Sequence, residues 1–524
     1  MARRLAQYRL PRLGRGFLGE NSIDAQTDLI FQLGALTKLR NYHLLSRATG
    51  AKRHGTKLYL AGTFNGTGIM QGLGAYDVAG TRHLIGVGNG KIQRVSAGAW
   101  VDMTGSVTLT VGKDVLPRFS YFHDGTNYNM LMTNNTDNPI YWTGSGNVAA
   151  MSLTLASDIC PFRQHVFAIN TPARATAIQY SEDGLITPFP VSNIFDPTRN
   201  SAGVALAAMN EETLLGFYEK SIHAIQFNYN MGALQNQFVN RLVDGSRGCQ
   251  SRTSVVPYGG YVYFLSDDGF YVVKSYDRPA QYISRSQEGF FATLNRARDK
   301  YIVGWARGEP WNEIVWHVST ESNTQHDSYM IYNPRMAKLF GDENAWAIFD
   351  SPAGQMYLNG GVNFVDSNGV QRSIACDYSG RTWEIWGTDR NPTDYTDGTG
   401  AAAVATDFQT GFLNLGYEGM KELREVVVDL DLQSDVEFDI TAETTANVPG
   451  TITLTAGNPA DLIDDGFMID ESYIAESKVS QLIIPQIDTD GRYFQLRLQE
   501  NSIGIPHMIK SLLFFFKAQG IRAE

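Results

Sequence analysis

The feature that most constrains the fold is the rhythm of turn residues. From Lys57 onward the chain runs in short period-two or short apolar segments, cut every eight to twelve residues by turn formers. Lys57-Leu58-Tyr59-Leu60, His83-Leu84-Ile85-Gly86-Val87 and Lys91-Ile92-Gln93-Arg94-Val95 are examples, the last two joined through Gly88-Asn89-Gly90. Asn-Gly accepts positive φ at both central turn positions, so it joins antiparallel strands tightly. Asp124-Gly125, Asp183-Gly184, Asp268-Gly269 and Asn368-Gly369 repeat that chemistry. Helical periodicity is nearly absent, and residues 22–46 are the one place where a helix or two is expected. The expected class is all-β.

The strands group into clusters. Residues 57–104 end near Trp100, 116–152 near Trp142, 290–350 near Trp346 and 355–387 near Trp383 and Trp386, with 160–195 and 203–275 between them. An aromatic near each unit's end, at a spacing of about 35–70 residues, points to a β-propeller with degenerate blades. A sandwich or several small β domains is the alternative. Residues 391–406, rich in Asp, Thr, Gly and Ala, read as a linker or long exposed loop. Beyond it, Arg424-Glu425-Val426-Val427-Val428-Asp429-Leu430 and Ile509-Lys510-Ser511-Leu512-Leu513-Phe514 predict a C-terminal, sandwich-like β domain. The expected organisation is therefore a basic arm (1–56), an irregular propeller (57–390), the linker, and a C-terminal β domain (407–524).

Charge is uneven along the chain. Residues 1–60 hold eleven Lys/Arg and three acids, a balance of +8, which leaves −19 for the rest of a chain whose net charge is −11. A basic end on an acidic body suits an acidic partner face or nucleic acid, and it equally suits a solvated tail. The Arg-rich start has no apolar block after it, so a secretory signal is not expected; an organelle transit peptide is the lesser alternative. The strongest apolar run, Leu512-Leu513-Phe514-Phe515-Phe516, is strand-sized, and no membrane span is expected. Cys160, Cys249 and Cys376 lie far apart and are odd in number, which fits buried thiols in a reducing compartment.

Enzymatic constellations are hard to find. The nine histidines are scattered without metal-ligand spacing, and His317 and His326 bracket a polar loop as solvated or core residues. Thr143-Gly144-Ser145-Gly146 lacks the spacing of a nucleophile elbow. Gly86-Val87-Gly88-Asn89-Gly90-Lys91 lacks the Walker pattern and sits better as a hairpin turn. Acidic pairs such as Asp267 with Asp268 and Asp464 with Asp465 fall where turns favour Asp. Ser181-Glu182-Asp183-Gly184 and Ser266-Asp267-Asp268-Gly269 only partly match the Asp-box turns of sialidase propellers. Asp488-Thr489-Asp490-Gly491 starts like a calcium loop but meets Gln499 at the twelfth position. No catalytic, cofactor or metal residue is expected, and the chain is not read as an enzyme.

The order of features along the chain resembles a known family. The relevant segments are Gly16-Phe17-Leu18-Gly19-Glu20-Asn21, Leu33-Gly34-Ala35-Leu36-Thr37-Lys38-Leu39-Arg40-Asn41 and Gly74-Ala75-Tyr76-Asp77. Met132-Thr133-Asn134-Asn135, Pro139-Ile140-Tyr141-Trp142 and Tyr329-Met330-Ile331-Tyr332-Asn333-Pro334 follow. Most telling is the run from Gly248-Cys249 through Tyr261-Val262-Tyr263-Phe264 to Asp268-Gly269. Together with Asp377-Tyr378-Ser379-Gly380-Arg381-Thr382-Trp383 and the ending from Gly491 to Arg522, this resembles the tail nozzle or hub proteins of short-tailed bacteriophages, also described as packaged-DNA stabilisation proteins. The likeness spans residues 16–522 through short motifs taken in order.

The resemblance implies a virion tail protein, assembled in the host cytoplasm, that forms a homo-oligomeric ring, usually of six copies. That ring sits below the portal and adaptor proteins, near tail fibres or spikes. Its channel retains packaged double-stranded DNA and passes it at ejection without sequence specificity. Arg3, Arg4, Arg9, Arg12 and Arg15 are then the candidate contacts to an adaptor subunit or the DNA end. The competing class is a carbohydrate-binding or glycan-degrading propeller of a receptor-binding tail component. Trp305, Trp311 and Trp316 are considered for an aromatic platform there, although core packing accounts for them better.

Overall fold

The computed structural model describes residues 6–9, 36–44, 50–65, 68–78, 80–197, 201–227, 238–309, 311–351, 357–366, 368–386, 393–395, 401–415, 419–432, 436–444, 452–456 and 479–519. Six four-stranded antiparallel sheets, together with a seventh four-stranded unit that forms one end of a nine-stranded sheet, follow one another along the chain. Their first strands are Met70–Val78, Arg118–His123, Asp158–Phe162, Gly203–Ala208, Val256–Tyr258, Val303–Arg307 and Leu358–Val365. Each first strand packs beside the next, and Leu358–Val365 returns to Met70–Val78, so the seven units close a ring with these strands innermost. The fold is a seven-bladed β-propeller.

Two of the sequence clusters need redrawing. Residues 203–275 contain two blades, one over 203–244 and one starting at Val256; the Asp244-Gly245 turn after the first is of the same kind as the Asp-Gly turns inside blades, such as Asp268-Gly269, so it does not announce the boundary. Tryptophan marks the ends of some blades only: Trp100 and Trp346 lie on fourth strands, Trp142 and Trp383 on third strands, and blades three to five have none.

Closure of the ring is not sequential. Blade seven supplies three strands, and its outermost is Thr56–Leu58 from the beginning of the chain, with Trp383 opposite Leu58 and Ile385 opposite Thr56. Pairing strands from the two ends of the domain ties the last blade to the first without an exposed seam.

Burial patterns separate the two lobes. Blade strands are covered on both faces, as in Thr213–Tyr218 and Glu313–Val318, where every residue is buried. Leu214 faces the space between blades three and four while Leu215 faces that between four and five. In contrast, Val436–Thr444 alternates regularly, with residues 436, 438, 440, 442 and 444 buried, as a sheet packed on one face must. This strand belongs to a C-terminal sandwich. One of its sheets is Tyr42–Leu44, Gly50–Lys52, His507–Ala518, Lys421–Leu432 and Val479–Gly491 in order. The other is Leu36–Arg40, Thr406–Thr410, Phe494–Glu500, Val436–Thr444 and Ile452–Ala456, and it continues edge to edge into blade six through Arg40 beside Ile348. A single apolar core runs from Phe270, Trp316 and Trp346 in the propeller to Phe408, Val426 and Phe514 in the sandwich.

Two local expectations are corrected. Residues 36–40 and 42–44, inside the stretch expected to be helical, are strands, since Leu36, Leu39 and Tyr42 are drawn into the sandwich core. The stretch read as a linker contains a hairpin, Thr393–Tyr395 with Ala401–Ala403, whose Asp394 is fully buried. Asp488–Gly491, which fails the calcium-loop pattern at Gln499, is the end of a long strand paired with Lys421–Leu432. Two short helices, Glu288–Phe291 and Pro334–Phe340, occupy interstrand connections; Asn333 caps the second by accepting from the Arg335 and Met336 N–H groups. Among the described residues no helix is long and apolar enough to cross a membrane.

Candidate functional site

The segment 36–58 connects both lobes. It adds three strands to the sandwich, turns at Asn41 in the left-handed region (φ 61°), and then closes the propeller. Four polar clusters fix its path. Arg53 (3% exposed side chain) meets Asp394 through both terminal nitrogens, at 2.9 and 2.5 Å, and Asp394 Oδ1 also accepts from the Thr56 N–H and hydroxyl, each at 2.9 Å. Asn41 accepts from Arg53 Nε (2.8 Å) and from the Asp350 N–H (3.0 Å) while donating to the Ala405 carbonyl (2.6 Å). One side chain thus joins the arm, blade six and the entry to the sandwich.

On the sandwich side Lys52 and Glu500, both fully buried, pair at 2.6 Å. Burial draws the Lys52 ammonium down from its ordinary range, opposed by Glu500. Tyr42 donates to Thr406 (3.2 Å) and meets His507 Nε2 at 2.8 Å; burial holds His507 neutral, well below its usual value. On the propeller side His43 Nδ1 contacts Glu313 at 2.8 Å, and Arg307 reaches the other Glu313 oxygen at 3.2 Å. Burial lowers His43 to about 4 despite Glu313, so the neutral ring donates from Nδ1. Burial would raise Glu313, but His43 and Arg307 outweigh it and keep it ionised. His43 stacks on Trp311 at 4.1 Å, and Arg307 lies over the same indole at 4.6 Å.

A polar crevice of about 730 Å³ opens between these clusters, lined by Lys38, Arg40, Asp350, Asp407 and Asn501 among others. Its charges are matched: Arg40 with Asp350 at 3.5 Å, Lys38 with Asp407 at 3.8 Å, and Arg497 bidentate on Asp407 at 2.8 and 2.5 Å. Buried and half-buried pairs of this kind add little net stability but specify one docking geometry, because every misregistered alternative strands a charge. What this arrangement does is fasten segment 36–58 to both lobes.

The residues singled out from sequence distribute as follows. Arg3, Arg4, Arg12 and Arg15 lie outside the described residues. Arg9 ends the Ala6–Arg9 strand, which pairs antiparallel with His507–Ala518 and places Arg9 opposite Leu513. The two ends of the chain therefore share one sheet. Trp316 is fully buried, donating to the Ser254 carbonyl at 3.0 Å, and Trp305 is buried with its N–H on His317 Nε2 at 2.9 Å. Trp311 is half-buried against His43. These three form no open platform. His317 and His326 are core residues: His317 Nδ1 donates to the Leu358 carbonyl (3.0 Å), and His326 lies between the Tyr301 carbonyl (3.1 Å) and the Tyr378 hydroxyl (3.0 Å). Asp267 and Asp268 sit in an exposed turn beside Arg247. Asp464 and Asp465 lie outside the described residues. The turn at Asn89-Gly90 is a hairpin with φ of 48° and 74° between Gly88 and its partner Lys91. Among the described residues no three His, Cys, Asp or Glu side chains converge as a metal site.

Sequence reasoning missed Arg53, Asp394, Lys52, Glu500, His43 and Glu313. Their partners stand hundreds of positions away, so no local spacing announces them.

No protein family model and no curated protein matches the chain. Solved structures align weakly. The BBS1N–ARL6DN complex shares 8% identity at a TM-score of 0.41, over 65% of this chain and 98% of that one. The C-terminal WD40 domain of Sif2 shares 9% at 0.38, over 64% and 99%. PorZ, a surface component of the type-IX secretion system of Porphyromonas gingivalis, shares 10% at 0.34, over 70% and 44%. The propeller assignment itself rests on the strand order and ring closure described above.

Proposed function

We propose that this chain is a structural tail protein of a short-tailed bacteriophage, a ring subunit below the portal and adaptor that extends the DNA channel and holds packaged DNA until ejection. The observation that supports this most is the weaving of residues 36–58 through both lobes, with Ala6–Arg9 pinned to the same sandwich sheet as His507–Ala518. A basic arm anchored this way transmits force from a docked partner directly into the sandwich and the propeller closure. The order of sequence motifs and the charge split of +8 against −19 agree with that role.

The propeller's own axis is not the DNA path. Its axial cavity measures about 220 Å³, whereas the major groove of a duplex alone is about 12 Å wide. The channel in this reading lies between copies, where an acidic body lets a polyphosphate slide without adhering. Deleting residues 1–16 tests the arm: the truncated protein folds but docks more weakly on a portal–adaptor complex. Docking equal to that of the full chain removes the arm from the proposal.

A further inference from the structure

The axial cavity holds chemistry that ring assembly does not use. It is walled by glycines of the innermost strands, among them Gly72, Gly74, Gly304 and Gly361, and by the rings of Phe119 and Tyr121. The glycines are there because neighbouring inner strands crowd each other: a Cβ on Gly72 would sit 2.7 Å from Pro117, and one on Gly361 2.6 Å from Trp305.

Arg118 lines this cavity. Its Nη1 is committed, at 2.6 Å to Asp158 and 3.0 Å to the Arg252 carbonyl. Its Nε and Nη2 have no partner among the described residues, and these two nitrogens form the side of the guanidinium that grips a carboxylate with two parallel bonds. Arg252 stands beside it, held by the Thr133 carbonyl at 3.2 Å and the Leu116 carbonyl. Asp158, buried, is the carboxylate whose charge reaches both guanidinia, so the cluster carries a net charge of +1 inside an acidic body. Burial lowers Arg252 only to about 10, which leaves it cationic at neutral pH.

Asn359 is fully buried in the same wall. Its Nδ2 donates to the Met70 and Gln71 carbonyls at 3.1 and 3.3 Å, which fixes the amide orientation and leaves Oδ1 without a hydrogen-bond partner. That oxygen is closed off even from a water-sized molecule, so Asn359 shapes the wall and does not itself contact what the cavity holds. A cavity of about 150 Å³ accommodates benzene, so this one takes a molecule of monosaccharide size.

We infer that the propeller axis binds a small carboxylate of the size of a hexuronic acid, its carboxylate on the Nε–Nη2 edge of Arg118. This site stands whether or not the chain builds a tail ring.

Titration calorimetry of the full chain with glucuronate and with glucose tests it. Glucuronate is expected to bind at millimolar concentration and glucose at least tenfold more weakly, a comparison that needs no variant. Arg118→Lys keeps a cation beside Asp158 but removes the bidentate edge, and is expected to weaken glucuronate at least tenfold with an unchanged melting temperature. Val303→Phe fills the cavity without altering its charges and is expected to abolish binding. The inference is overturned if glucuronate does not bind, if glucose binds equally well, or if a folded Arg118→Lys or Val303→Phe protein binds glucuronate as the natural chain does.

Discussion

Replacing Asp394 by alanine removes the carboxylate that faces buried Arg53 and takes both bonds from Thr56. Breaking one side of a buried pair costs about 3–5 kcal/mol, since the remaining charge stays desolvated. Loss of the two hydrogen bonds from Thr56 to the carboxylate adds about 1 kcal/mol. Thr56 begins the strand that closes blade seven, so the damage should concentrate at the seam. Urea titration followed by tryptophan fluorescence reads the loss, since Trp383 and Trp386 are buried at the seam. Amide exchange should rise selectively in Thr56–Leu58 and Thr382–Ile385. The double variant Arg53→Met with Asp394→Leu, which leaves no stranded charge, should recover most of the stability. An Asp394→Ala protein within about 1 kcal/mol of the natural chain, with the seam still protected, would refute the idea that this pair locks the closure.

Three further outcomes are expected. Burial lowers His43 and His317 to about 4, and His326 and His507 further. A base whose folded value is depressed leaves the unfolded state to take up protons first, so stability is lost as pH falls from about 7.5 to 5.5, by about 1 kcal/mol per histidine. Asp299, raised by burial to about 6, regains some stability over the same window; a urea midpoint that is flat or rises towards pH 5.5 would contradict the buried-histidine account. Burial pushes the thiols of Cys160 and Cys249 up to about 12 and that of Cys376 also upward, so Cys249 and Cys376, both buried, should resist a maleimide until the protein unfolds, and rapid labelling of either in the native state would be inconsistent with the core. Gly361→Ala should destabilise by about 1–3 kcal/mol through its contact with Trp305, whereas Gly98→Ala, with open space around its Cβ but a φ of 77°, should cost only the backbone strain.

What was legible in the sequence follows the range of the interactions. Turn dipeptides and period-two runs are local, and they place most strands and the all-β class correctly. The alternation of Val436–Thr444 against the solid burial of Glu313–Val318 even separates sandwich from blade. Blade number was not legible, because Asp-Gly turns join strands within a blade, as at Asp124-Gly125 and Asp268-Gly269, as well as closing one, as at Asp244-Gly245, so a turn alone marks no boundary. The segment 36–58 defeats local reading for a different reason. Leu36, Leu39 and Tyr42 are spaced three apart as on a helical face, and only the sandwich core, a register shift between Leu36 and Lys38, and the distant partners Asp394, Glu500 and Glu313 make the segment strands. Asp394 sits in a polar, Gly-rich stretch whose composition is that of a loop, yet it is buried because Arg53 reaches it from the other lobe.

The central claim is assembly, and the mass of the purified full chain in solution, alone and with a portal–adaptor complex, tests it most directly. The account predicts a closed ring, or a monomer that becomes a ring on that complex. A stable monomer that ignores the complex, and instead binds or cleaves a bacterial surface glycan, would contradict it.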